Sequence, residues 1–299
     1  MPVSPDVQML SFDVVDVFAE QPFAGNSLAV VHGAQGLDTR QMQALAREFN
    51  LSETVFPLPP TRPGASYRVR IFTPARELPF AGHPSVGVAW VLARDGVIEA
   101  GEAVQECGAG LLSVHVDASG ARIGGGTPVV GARLDPVALA EVVGLTAADV
   151  DPGAEPGLAG AGLDCPILPV RADAVAKASS PALTSLPSGI RENGHLLVAA
   201  FDPAAARAHV RMFAPGSGIA EDPATGSAAV ALAVFLVDRG VLPAEGEFAF
   251  TVHQGAEVAR PSTLEVEVVA EGGAAVRTSV GGRVQPISHG RIRLPPPVP

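Results

Sequence analysis

A chain of 299 residues can form two domains of ordinary size or one large one, and 47% hydrophobic with 17% charged residues is the composition of a packed globular protein. The net charge of −11, with no basic run, excludes the clustered Lys and Arg that nucleic acid requires; a small anion can still be held by backbone N–H groups at a helix start. Cys107 and Cys165 lack metal or disulfide spacing and point to a reducing, cytoplasmic setting; Met1 to Phe12 has no leader pattern, and the longest apolar run, Ala228 to Val237, is too short for a membrane span.

In chain order, Ser11 to Phe18 and Leu28 to His32 read as strands. Asp38 caps a helix that places Met42, Leu45, Ala46 and Phe49 on one face. Thr54 to Leu58 and Ser66 to Phe72 are strands, the second ended by Pro74. An apolar helix over Ser85 to Ala93 stops at Gly96. Leu111 to Val116 is a strand, and Gly124-Gly125-Gly126 marks a lobe boundary. Asp135 to Val143 reads as a short helix, Asp149 to Gly162 as a Gly/Pro/Ala loop, and Leu196 to Phe201 as a strand. A second apolar helix, Ala224 to Val237, stops at Gly240; strands follow over Phe248 to His253 and Thr263 to Val269, and Pro295 to Pro297 is a frayed tail.

One unit is written twice. Arg70-Ile71-Phe72-Thr73-Pro74, a turn with His83-Pro84 and an apolar helix have a counterpart in Arg211-Met212-Phe213-Ala214-Pro215, a turn with Asp222-Pro223 and a second apolar helix. Matching His83 to Asp222 makes the second helix about a turn longer and puts each proline at the first helical position, with Asp222 as an N-cap. A helix apolar all round must be buried on all sides. The expected fold is therefore α+β: two pseudo-symmetric lobes, each a mixed or antiparallel sheet curled around a central apolar helix. The N-terminal lobe spans 1–125 and carries Glu53 and His83. The C-terminal lobe spans 126–299 and carries Asp222 and Ser227, with the extreme C-terminus free to pack back on the first.

Related by a pseudo-two-fold, the two helix starts converge on one cleft, where unpaired N–H groups form an anion site for a carboxylate or a developing enolate-like charge. Glu53, just after a helix and at the head of an apolar strand, is suited to general acid/base work there. On spacing alone it also reads as a solvated strand-end residue, His83 as a structural histidine, Asp222 as a plain cap and Ser227 as core packing. No metal site, nucleotide loop or nucleophile elbow is present in the sequence, and no cofactor is expected.

Asp16-Val17-Phe18, Phe23-Ala24-Gly25-Asn26, Leu51-Ser52-Glu53-Thr54, Phe72-Thr73-Pro74, Phe80-Ala81-Gly82-His83-Pro84 and Glu221-Asp222-Pro223-Ala224-Thr225-Gly226-Ser227-Ala228 together resemble the phenazine-biosynthesis PhzF-like family, in order along the chain from about Phe12 to Arg293. The resemblance implies a diaminopimelate-epimerase-like fold and a cofactor-independent isomerase in which a glutamate, here Glu53, moves a proton on a small carboxylated, cyclic or unsaturated metabolite. It assigns substrate binding to His83, Asp222 and Ser227, with Gly82 and Gly226 at the helix starts, and implies a homodimer. Two-thiol racemases of this fold carry a cysteine at each helix start; neither stretch here has one, so that mechanism is not expected. The alternative is a non-catalytic small-molecule binding or interaction protein on the same fold.

Overall fold

The computed structural model describes residues 8–296, so Met1–Val7 and Pro297 of the sequence expectations lie outside the described residues. The chain divides into two compact units, one formed by residues up to Ile123 together with those from Gly282 onward, the other by Gly124–Gly281. Both are predominantly sheet with few helices.

In the first unit the elements run β1 (Met9–Val17), β2 (Asn26–Val31), α1 (Thr39–Phe49), β3 (Glu53–Leu58), β4 (Tyr67–Phe72), β5 (Glu77–Leu78), α2 (Gly82–Arg94), β6 (Gly101–Cys107), β7 (Gly110–Val116) and β8 (Gly120–Gly124). Most pairs are antiparallel, but β2 runs parallel to β3 and β4 parallel to β6. Asp38 opens α1 in a reciprocal capping box with Gln41. The apolar face of α1, with Met42, Leu45 and Ala46, lies over Phe56 and Phe72 of β3 and β4. Helix α2 packs against β1, β2, β3 and β7 and is buried from Gly82 to Leu92. Strand β3, covered by helices α1 and α2, is an almost unbroken buried run, as doubly covered strands are.

The second unit comprises β9 (Pro128–Arg133), α3 (Pro136–Val142), β10 (Gly157–Ala161), β11 (Asp164–Pro169), α4 (Ser188–Arg191), β12 (Leu196–Asp202), β13 (Arg207–Ala214), β14 (Ile219–Asp222), α5 (Gly226–Asp238), β15 (Gly246–Gln254), β16 (Ser262–Glu271) and β17 (Ala274–Arg293). Its pairings follow the same plan: β10–β11 antiparallel, β11–β12 parallel, β12–β13 and β13–β14 antiparallel, β13–β15 parallel, β15–β16 antiparallel. Helix α5 packs on β9, β10, β11 and β16. The last strand belongs to the second unit up to Gly281 and to the first thereafter, where it pairs with all of β1.

Several expectations are corrected. The segment Asp149 to Gly162 is not all loop: Gly157–Ala161 is a strand between β9 and β11. Its Gly-Leu-Ala-Gly-Ala sequence has no strand signature because α5 lies directly on it; a Cβ on Gly157 would stand 2.2 Å from Arg239 Nη2. Helices α2 and α5 are both 13 residues long, so the second is not a turn longer. The extra residues sit before α5, around the Pro215–Ser217 turn. Pro295 is held rather than frayed, its carbonyl accepting from Gln41 Nε2 at 2.7 Å. Gly96 (φ 70°) and Gly240 (φ 67°) do stop their helices in the left-handed region. Among the described residues no helix is long and apolar enough to cross a membrane.

Candidate functional site

Glu53 is placed by the end of α1. Asn50 takes the left-handed conformation (φ 50°) and closes the helix on the Ala46 carbonyl at 3.1 Å. The chain bends at Leu51–Ser52 and enters β3, where Glu53 stands beside Leu28 of the parallel neighbour β2. His83 comes from the other direction, as the second residue of α2. Its Nδ1 lies 3.4 Å from Glu53 Oε2, with the histidine exposed to 5% and the glutamate to 15%. This is looser than a charge-assisted hydrogen bond. Burial pushes the His83 imidazole down to about 3, against the opposing effect of the Ser27 backbone, so the ring is neutral near pH 7.

The start of α2 differs from the sequence expectation. The helix begins at Gly82 behind an Ala81 cap, so Pro84 is its third residue rather than its first, and no side chain caps it. A buried chain anchors this turn instead: Ser85 Oγ donates to the Ala81 carbonyl at 2.9 Å, Gln105 Nε2 to Ser85 Oγ at 2.8 Å, and Tyr67 to Gln105 Oε1 at 3.1 Å.

In the second unit Asp222 is not an N-cap. It ends β14, and Thr225 is the residue before α5, with no side-chain cap of its own. The Thr225 hydroxyl donates to the Asp222 carboxylate instead. Gln254 at the end of β15 pins the turn: Nε2 donates to the Asp222 carbonyl at 2.7 Å and to Thr225 Oγ1 at 3.1 Å, while Oε1 accepts from Thr225 N–H at 3.1 Å. Gly226 and Ser227 are the first two residues of α5. By helix register the partner of His83 is therefore Ser227, not Asp222.

The structure brings Glu53 and His83 into contact, with Gly82 next to His83 at the α2 start; Asp222, Gly226 and Ser227 form a second group around the α5 start. Sequence reasoning missed Gln254, Ser27 and Gln105. Gln254 lies 29–32 residues from the groups it holds, and no local motif announces such a contact. One group of metal-ligand type occurs among the described residues, Asp13, His32 and Asp95. Arg94 already bridges its carboxylates, at 3.1 Å to Asp13 and 2.8 Å to Asp95, and His32 Nε2 is 2.8 Å from Asp13, so a resident cation is not called for by charge.

The family model for phenazine biosynthesis-like proteins matches residues 15–290. An uncharacterised isomerase of Mesorhizobium japonicum is 35% identical over 309 residues, covering 96% of this chain and 99% of that one. The trans-2,3-dihydro-3-hydroxyanthranilate isomerase of Pseudomonas fluorescens is 32% identical, covering 96% and 100%. Among solved structures, one described as a predicted epimerase from Pseudomonas aeruginosa is 33% identical, with a TM-score of 0.78 over 95% of this chain and 99% of that chain. With matches that run through the Glu53–His83 pair and the α5 start alike, the chain belongs to the phenazine biosynthesis-like family and is an isomerase.

Proposed function

We propose that Glu53 removes a proton from carbon and returns it elsewhere on the same small, carboxylated, cyclic or unsaturated metabolite, with no cofactor. The observation that carries this reading is the Glu53–His83 pair: a carboxylate 3.4 Å from an imidazole that burial holds neutral, both shielded from water. A neutral ring can donate one hydrogen bond and so steady the carboxylate without taking its proton. Proton transfer by a positioned side chain contributes roughly 10²–10⁴-fold, so stabilisation of the developing charge must add to it. The first turn at Gly82, which no side chain caps, is suited to that in the unit that holds Glu53, and the resemblance reads Asp222, Gly226 and Ser227 of the second unit as substrate-binding residues, Asp222 being held by Thr225 and Gln254. The name of the P. fluorescens relative, whose substrate is a partly unsaturated ring bearing a carboxylate, supports that substrate class here. We read the two units, with their common strand order, as copies of one ancestral unit. Cys107 and Cys165, both buried and free, fit a reducing cytoplasmic setting, and a homodimer is expected from the resemblance.

The test is solvent deuterium exchange into trans-2,3-dihydro-3-hydroxyanthranilate and related cyclic acids, comparing wild type with Glu53→Gln. Loss of exchange with retained ligand binding upholds the assignment. Exchange that survives the substitution removes Glu53 from the mechanism, and binding without exchange in the wild type favours a non-catalytic binding protein.

A further inference from the structure

The buried chain at the α2 start runs in one direction. The Tyr67 hydroxyl donates to Gln105 Oε1, Gln105 Nε2 to Ser85 Oγ, and Ser85 Oγ to the carbonyl of Ala81, the residue before the helix. Tyr67 is 2% exposed, and Gln105 and Ser85 are fully buried. Burial pushes the Tyr67 hydroxyl above its ordinary range, so it keeps the proton it donates. Every polar group in such a chain must find a partner or destabilise the core. For stability alone, apolar residues of similar shape serve as well.

The second unit makes that substitution. Matching Arg70 and Phe72 to Arg211 and Phe213 sets Tyr67 against Ala208. Gln105 pairs with Tyr67 across β4–β6, and Val252 pairs with Ala208 across β13–β15, so Val252 is the counterpart of Gln105. Counting from the helix starts matches Ser85 to Ala229. Ala208, Val252 and Ala229 are all buried, and none has a polar side-chain atom. The strand plan therefore forms without the chain, which belongs to the unit that holds Glu53 and His83.

The helix starts differ accordingly. In α5 the Ala229 N–H closes on the Thr225 carbonyl at 3.0 Å. The matching bond in α2, from Ser85 N–H to the Ala81 carbonyl, is 3.4 Å, and the Ser85 hydroxyl takes that carbonyl at 2.9 Å instead. A hydroxyl that bonds back to the carbonyl four residues earlier competes with the backbone and bends the helix there. His83 stands within this opened turn, two residues before Ser85. Its Nδ1 is 3.4 Å from Glu53 Oε2.

We propose that Gln105, acting through Ser85, is a positioning residue of the isomerase: the chain from Tyr67 holds the first turn of α2 open so that the His83 ring meets Glu53. This rests on the reading of Glu53 given above and adds the residues that set the geometry of its pair. Reacting groups displaced by about 1 Å lose up to about a hundredfold in rate, so a chain that touches no substrate can still govern the exchange.

The test uses the full chain, deuterium exchange into trans-2,3-dihydro-3-hydroxyanthranilate and related cyclic acids, and the imidazole nitrogen NMR signals that vanish in His83→Asn. Ser85→Ala cuts the chain at the turn and installs the residue of the second unit. Tyr67→Phe, Gln105→Leu and Ser85→Ala together make the whole chain apolar. Both variants are expected to slow exchange per folded molecule by roughly 10–100-fold, with kcat lowered and KM within about twofold of wild type. The His83 signals are expected to move, and the triple variant is expected to have a thermal midpoint no lower than that of Ser85→Ala. Unchanged exchange per folded molecule overturns the proposal whatever the thermal midpoint, because the chain is then structural only. So does slower exchange with the His83 signals unmoved, a rise in KM with kcat intact, or a wild type that exchanges into none of the acids. Should the triple variant fail to fold, Ser85→Ala decides alone. Glu53→Gln separates the two readings. Exchange lost there but kept in Ser85→Ala leaves Glu53 standing and removes the positioning chain. Exchange kept there but slowed in Ser85→Ala, with the His83 signals moved, upholds the positioning of His83 and removes Glu53.

Discussion

The two units route their strands alike and fill the same space from opposite sides. In the first, the wall of the sheet under the helix is Val15, Val17 and Leu28, and α2 meets it with Gly87. In the second, register puts Ala159, Ala161 and Cys165 in the wall, and α5 meets them with Ala231. Larger residues on the sheet thus meet a glycine on one helix, and smaller ones are matched by an alanine on the other, as close packing demands. Charge follows a similar rule. Arg70 is clamped by Glu77 and lies 5.1 Å over Phe72; Arg211 is clamped by Glu221 and lies 4.9 Å over Phe213. The units differ at the helix-start end. Where the first has Glu53 beside His83, the second has His195 and Ser227, and His195 is tied to the carbonyls of Asn193 at 2.7 Å and Asp164 at 3.1 Å. The strand plan is thus common to both units, and they differ in a few residues at one end.

Four measurements break or sharpen that contrast. Glu53→Gln is expected to slow deuterium exchange by roughly 10²–10⁴-fold, while His195→Gln at the matching position leaves the exchange rate per folded molecule unchanged. Next in size is the difference between the two arginine clamps. Glu221→Ala leaves a guanidinium whose side chain is only 10% exposed with carbonyl partners, those of Ala176 and Ala178, but without its paired carboxylate, and is expected to cost about 3 kcal/mol in urea unfolding; Glu77→Ala, at a clamp exposed to 24% and 38%, is expected to cost at most about 1 kcal/mol. Gly87→Ala drives a Cβ to 2.6 Å from Leu28 Cδ2 and 2.7 Å from Val17 Cγ2, an overpacking expected to cost about 1–3 kcal/mol. Pairing it with Leu28→Cys, the residue of the second unit, should recover part of that loss in the same unfolding assay.

The smallest effect concerns pH. His83 titrates near 3 in the folded chain and near 6.5 when unfolded, so the unfolded state takes the proton first. Stability is full above pH 6.5 and falls as pH drops toward 3, by about 1 kcal/mol between pH 6.5 and 5.5. Burial lowers His195 as well, so each unit contributes in the same direction. Unfolding curves at the two pH values should flatten in His83→Asn and in His195→Asn, each removing one share.

The sequence made legible whatever depends on local chemistry or long apolar runs. Asp38 with Gln41, the two buried helices and their glycine stops, and Glu53 at a strand head all have signals within a few residues. The repeat was visible too, but aligning it on His83-Pro84 and Asp222-Pro223 gave the wrong partner. The helices begin at Gly82 and Gly226, and the prolines occupy different places relative to them. Strand β10 was hidden because its small residues answer to α5, not to strand propensity. Gln254, Gln105 and Ser27 were hidden because their roles arise from register between distant strands.

The division of β17 has a consequence for how the chain is made. Residues 124–281 are contiguous, so that unit has all its strands once Gly281 has left the ribosome. The first unit, though synthesised earlier, has β1 lacking one neighbour until Gly282–Arg293 arrives to cover it from Met9 to Val17. Until then a nine-residue strand offers an open edge, the kind of surface that recruits other chains. A chain truncated after Gly281 and released should therefore hold a protease-resistant second unit and a first unit whose β1 edge stays open.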